Sequence, residues 1–187
     1  MSRSDLPRKT SEATIMHVAA WLGASEYANV ARVAFENAGA SAVRQYGREV
    51  AIVAACCVAV RRSDPGEIDL EAASERLGLE PSSVAHAAEL IEGELSPPAP
   101  ESEIRSLRQS VIAVYELLAG IENDQAKAPR LSGAAFDGVD PTLKALADEP
   151  VGSLDEEALK AHCQRLEEDL EMARLGVELY MLVHKEK

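Results

Sequence analysis

The residues able to do chemistry are few, and their spacing decides what they can do. Cys56 and Cys57 are adjacent. On a helix neighbours point about 100° apart, so the two thiols cannot share a metal and read as core. His162, Cys163 and His184 are spaced far more widely than zinc ligands, and Cys163 and His184 fall on an apolar seam. His17 and His86 stand alone, with no acidic or nucleophilic partner at motif spacing. The acidic runs Glu156-Glu157 and Glu167-Glu168-Asp169 lack the Glu-x-x-His pairs of carboxylate metal sites and read as solvated helix faces. No Walker, GxGxxG or GxSxG sequence is present. The expectation is therefore a chain that is not an enzyme, with no catalytic residue, metal or cofactor.

The remaining chemistry is basic. Arg44, Arg48, Arg61 and Arg62 flank one apolar segment and admit two readings. Together with Arg3, Arg8 and Lys9 they form a patch for phosphate or for an acidic segment; alternatively Arg61 and Arg62 complement a helix C-terminal dipole. Net charge over the whole chain is -13. Its distribution is uneven: Met1 to Arg62 carries eight Lys and Arg against five Asp and Glu, and the acidic excess lies beyond. A nucleic-acid face thus belongs to the first third.

The segment these arginines flank is Val50 to Val60, apolar on every side, which as a helix must be surrounded by other helices. It is too short for a bilayer, which takes about 20 apolar residues. With 47% hydrophobic but 4% aromatic residues among 187, the core has to be Ala, Val and Leu, which suits packed helices. Three cysteines without a CxxC pair, and a polar stretch from Met1 to Ser11 in place of an apolar leader, lead to the expectation of a cytoplasmic chain outside the membrane.

Around this hub the pattern places a polar tail at 1–11, then helical segments within 12–95 punctuated by Gly23, Gly39, Asp64-Pro65-Gly66 and Gly78. Leu77, Gly78 and the corner at Pro81-Ser82-Ser83 give helix, turn and helix beside the hub, a helix-turn-helix pattern with Ser82, Ser83 and His86 at the start of its second helix. Pro97, Pro98 and Pro100 make 96–100 a stiff linker. In 101–187, Ile104, Leu107, Val111, Val114, Leu118 and Ile121 form one heptad seam. Leu159, Cys163, Leu166, Leu170, Ala173, Val177, Tyr180 and His184 form a longer one. The two predict an antiparallel helical hairpin joined by a 123–153 connection with one short helix near Thr142 to Ala147. The surplus of the second seam, through Leu166, Leu170, Ala173, Val177 and Tyr180, predicts a homodimer.

Residues 12–95 resemble a single cyclin-box repeat of the archaeal transcription factor B family. The resemblance is carried by Trp21-Leu22-Gly23 leading into Val30-Ala31 and by Phe35-Glu36-Asn37-Ala38-Gly39. Val50 to Arg62 stands in place of the family's VAAACLYxACR helix. Asp69-Leu70-Glu71-Ala72-Ala73 with Leu77-Gly78-Leu79 replaces its TLxEIAxxxGV segment, and Val84 to Leu95 matches its closing helix. The family carries two repeats, and Glu101 to Lys187 does not read as a second. Pro81 to His86, where the family's recognition helix would begin, lacks Arg and Lys. The resemblance implies an all-α fold, a five-helix cyclin-box-like domain followed by the hairpin. It also implies a transcription-related regulator binding DNA or a transcription-machinery protein, for which the residues singled out by charge and pattern, Arg44, Arg48, Arg61, Arg62, Ser82, Ser83 and His86, are the candidate contacts. The competing expectation is a homodimeric helical adaptor that binds no nucleic acid.

Overall fold

A computed structural model describes residues 11–63, 68–123 and 136–185. Among them all regular structure is helical, as the composition requires. Two compact units form, one from the chain up to Pro98 together with Leu175 onward, the other from Ala99–Arg174.

The first unit contains α1 (Ser11–Trp21), α2 (Ala28–Ala38), α3 (Ala40–Tyr46), α4 (Arg48–Ser63), α5 (Leu70–Leu77), α6 (Pro81–Glu94) and α10 (Val177–His184). Its centre is α4. Every residue from Val50 to Val60 is buried, and α1, α2, α3 and α6 all pack on that helix. Ala51, Ala54, Ala55 and Ala59 have no exposed surface, and Ala31, Ala34, Ala87 and Ala88 are similarly enclosed on α2 and α6. Small side chains at these positions let the helix axes approach closely. Between Gly39 and Gly47 the chain forms a further helix, α3: Ala40 and Ala42 favour helix, and Ala42 is fully buried. The chain leaves α3 through Gly47, at φ 86° and ψ 165°, a conformation open essentially to glycine, and enters α4 directly. Following Gly78, α6 starts with Pro81 in its first turn and packs on α5, α4 and α3.

In the second unit, α7 (Glu101–Glu122) and α9 (Glu156–Leu175) share a core with the segment between them. Val114 and Leu117 from α7 meet Leu159 and Cys163 from α9, and Val139, Leu143, Ala147 and Val151 from the connection complete the cluster. The expected short helix is α8 (Pro141–Leu146), capped by Asp140, whose carboxylate accepts from the Thr142 backbone N–H at 2.7 Å. Residues 124–135 of the expected connection lie outside the described residues. From Phe136 onward the connection is a packing element: Ser106 Oγ donates to Gly138 O at 2.6 Å, and Gln109 Oε1 accepts from the Gly138 N–H at 3.0 Å.

The long second seam is divided. α9 ends at Leu175, and the chain turns at Gly176 (φ 82°, ψ 146°) before α10 begins at Val177. α10 then packs on α2 through Leu179 and Val183, with Leu175 alongside in the same core. The proposed dimer residues are thereby separated. Leu166 packs on the core of the second unit, Tyr180 on that of the first, Leu170 and Ala173 are buried, and Val177 is exposed. The expectation of one uncovered seam fails because periodicity does not register a backbone turn made by one glycine.

Candidate partner-binding corner

The polar residues expected to bind a partner divide into two groups at opposite ends of α4. Arg61 follows Arg48 by thirteen positions, roughly 20 Å along a helix axis. The four arginines therefore do not form one patch, and Arg3, Arg8 and Lys9 lie outside the described residues.

At the C-terminal end, Arg61 is exposed and pairs with Glu92 at 3.2 Å. Arg62 is 6% exposed. Its Nη1 donates to the backbone carbonyls of Ser96 at 2.8 Å and Leu175 at 2.7 Å. Burial lowers the guanidinium pKa, with nearby Glu92 acting in the opposite direction. Arg62 is thus a structural cation satisfying carbonyls left open just past α6 and at the end of α9, and its place in a ligand-facing patch is corrected.

At the N-terminal end the arrangement differs. The Tyr46 ring stacks on His86 with centroids 6.4 Å apart and planes 22° from parallel, joining the end of α3 to the first turns of α6. Arg44, two residues before Tyr46 and so on a different face of α3, is exposed, and its Nη2 donates to Ser41 Oγ at 3.0 Å. Arg48 opens α4 just beyond Gly47, its guanidinium 5.8 Å from the centre of the Phe35 ring. Ser82 is exposed four residues before His86 on α6, and half-buried Ser83 donates to Glu80 Oε2 at 3.3 Å. Exposed Arg48, His86 and Ser82 lie where α3, α4 and α6 adjoin, a corner at which the Tyr46–His86 stack ties α3 to α6, and Arg44 is exposed on another face of α3. Exposed Glu49, Glu80 and Glu89 border the corner and dilute its charge. The sequence analysis singled out Arg44, Arg48, Ser82 and His86 and did not single out as site residues Tyr46 and Phe35, whose rings lie against His86 and the Arg48 guanidinium. A tyrosine and a phenylalanine beside arginines were the available signal.

The other reactive groups are held inert. Burial pushes the Cys56 thiol up to about 12, adjacent Cys57 adding to the shift. Burial likewise raises Cys57 to about 11, against the opposing pull of Arg61 and a backbone hydrogen bond. Thiolate is the reactive species, so both thiols are held in their unreactive form near pH 8. In a thiol-exchange assay at that pH, Cys56 and Cys57 are expected to react only after denaturant is added; prompt reaction in the folded chain would contradict the buried hub. In the second unit, Tyr115 Oη on α7 donates to Glu167 on α9. That bond, and the repulsion that would follow ionisation, push the phenol up to about 12. Among the described residues no group of three or more His, Cys, Asp or Glu side chains is placed to hold a metal ion, and no helix is long and apolar enough to cross a membrane.

Compared with known proteins, the chain matches no family model, no curated protein and no solved structure.

Proposed function

We propose that this chain is a non-enzymatic interaction protein of the transcription-related class, whose cyclin-box-like unit docks an acidic segment of a protein partner at the α3–α4–α6 corner. The observation that supports this reading is the Tyr46–His86 stack, which ties the end of α3 to the start of α6 beside the exposed residues Arg48 and Ser82. Three unpaired cysteines fit a reducing compartment, and a cytoplasmic location goes with the proposal.

Magnitudes favour a protein over duplex DNA. DNA binders at physiological salt commonly engage about 6–10 phosphates. Arg44, Arg48 and His86 offer at most three such contacts, and a net charge of -13 opposes approach to a polyanion. The salt dependence of any DNA binding should then have a slope no steeper than about -3.

The test is fluorescence anisotropy over a salt series with two labelled probes, an oligo-glutamate peptide and a random duplex. Wild type should bind the peptide, and Arg44→Ala with Arg48→Ala should weaken it at least tenfold. Equal peptide affinity in the double variant would remove the corner from consideration. A duplex slope near -6 would return DNA to first place.

A further inference from the structure

We propose that α10 is exchanged between two copies of this chain, each copy seating its α10 on the α2 of the other. Three observations lead there. The heptad register of α9 runs without interruption through the turn, with Leu170, Ala173, Val177 and Tyr180 at spacings of three, four and three. This is the pattern of one continuous helix, yet the chain is broken there by a single residue.

The second observation is that α10 seats one apolar stripe and leaves another bare. Leu179 and Val183 are buried in the core of the first unit beside Leu175 of α9, whereas Val177 and Met181 are 62% and 61% exposed. Val177 is the residue the continuous register would place in line with Ala173. The docked helix thus leaves Val177 bare, while Tyr180, the next residue of that register, packs on the core of the first unit.

The third is the hinge. Gly176 alone connects the two helices, at a φ and ψ essentially confined to glycine. Hinges this short favour domain exchange, because straightening them relieves the turn while the exchanged element recovers the same contacts on a second copy. Straightening also gives the first N–H groups of α10 helical partners within α9. The docked position in cis depends on the turn at Gly176. A straightened chain vacates its own α2, and the occupant of identical shape is the α10 of another copy. The inference does not depend on what the α3–α4–α6 corner binds.

Gly176→Ala separates the two states. A Cβ at this position would lie 2.6 Å from the Ser96 carbonyl oxygen and 3.0 Å from that of Pro97, on a backbone that disfavours alanine. In a continuous helix alanine is the best residue. Light scattering should place the monomer–dimer midpoint of Gly176→Ala at least tenfold below that of wild type, and refolding with excess synthetic peptide of residues 175–185 should return monomers. A folded Gly176→Ala chain that stays monomeric overturns the proposal, as does a dimer unaffected by the peptide. If the alanine variant does not fold, wild type refolded at high concentration decides. A peptide-sensitive dimer supports exchange; monomers alone, or a dimer indifferent to the peptide, overturn it.

Discussion

Ile52→Ala is expected to destabilise the first unit by about 2–5 kcal/mol, towards the upper end of that range. Ile52 lies on α4 and is 1% exposed. Removing its outer carbons loses their transfer free energy and leaves a cavity whose cost depends on how far the neighbours can move in. Here they cannot move far. The core of this unit is mainly Ala and Val, with Ile15, Ile52, Ile91, Leu175 and Leu179 its large fully buried side chains. Alanine has no rotamer with which to fill a gap, and the helix backbones are already held close by Ala51, Ala54 and Ala55. The measurement is urea unfolding followed by the fluorescence of Trp21, the single tryptophan, which belongs to α1 of the same unit. A lower midpoint with an unchanged slope is the expected signature. A loss below about 1 kcal/mol would mean that the interior around α4 relaxes freely, contrary to close packing.

The hub was legible in the sequence because a helix buried on all sides has no polar face, and no other arrangement accommodates eleven consecutive apolar residues between arginines. The short helix expected near Thr142 to Ala147 corresponds to α8, Pro141–Leu146. What failed was the assignment of direction. The argument that separates Cys56 from Cys57, about 100° between neighbours, applies equally to Arg61 and Arg62, and it separates an exposed cation from a buried one. Which of the two turns inward depends on carbonyls at positions 96 and 175, far away in sequence. The corner was half legible. Charged residues announce themselves, but the Tyr46–His86 stack that joins them is a tertiary contact between helices forty residues apart. The break at Gly176 was hidden by a register that continues through it, since a side-chain pattern constrains faces and leaves φ free.

Arg62→Met should cost about 2–4 kcal/mol, and the loss should be concentrated at α10. Methionine keeps most of the buried stem of Arg62, so the substitution isolates the guanidinium from the packing of its methylenes. The guanidinium holds the Ser96 and Leu175 carbonyls together, and around them gather the Glu178 N–H, which donates to Ser96 Oγ at 3.2 Å, and the turn at Gly176. Without it two carbonyls lose their donor, at about 1–3 kcal/mol for each left unsatisfied. Relief of the desolvation cost of a buried cation works the other way, which is why the expected loss is less than the sum. Arg62→Lys keeps the charge but not the planar fork, and should fall between wild type and Arg62→Met. Hydrogen exchange locates the effect: amides of α10 should lose protection by more than those of α4, because Arg62 ties down the approach to α10 while α4 is held by its own neighbours on every side. Equal loss in both helices would make Arg62 part of the general core. No loss in either would mean that water replaces the guanidinium at both carbonyls, and the attachment of α10 would then rest on Leu175, Leu179 and Val183 alone.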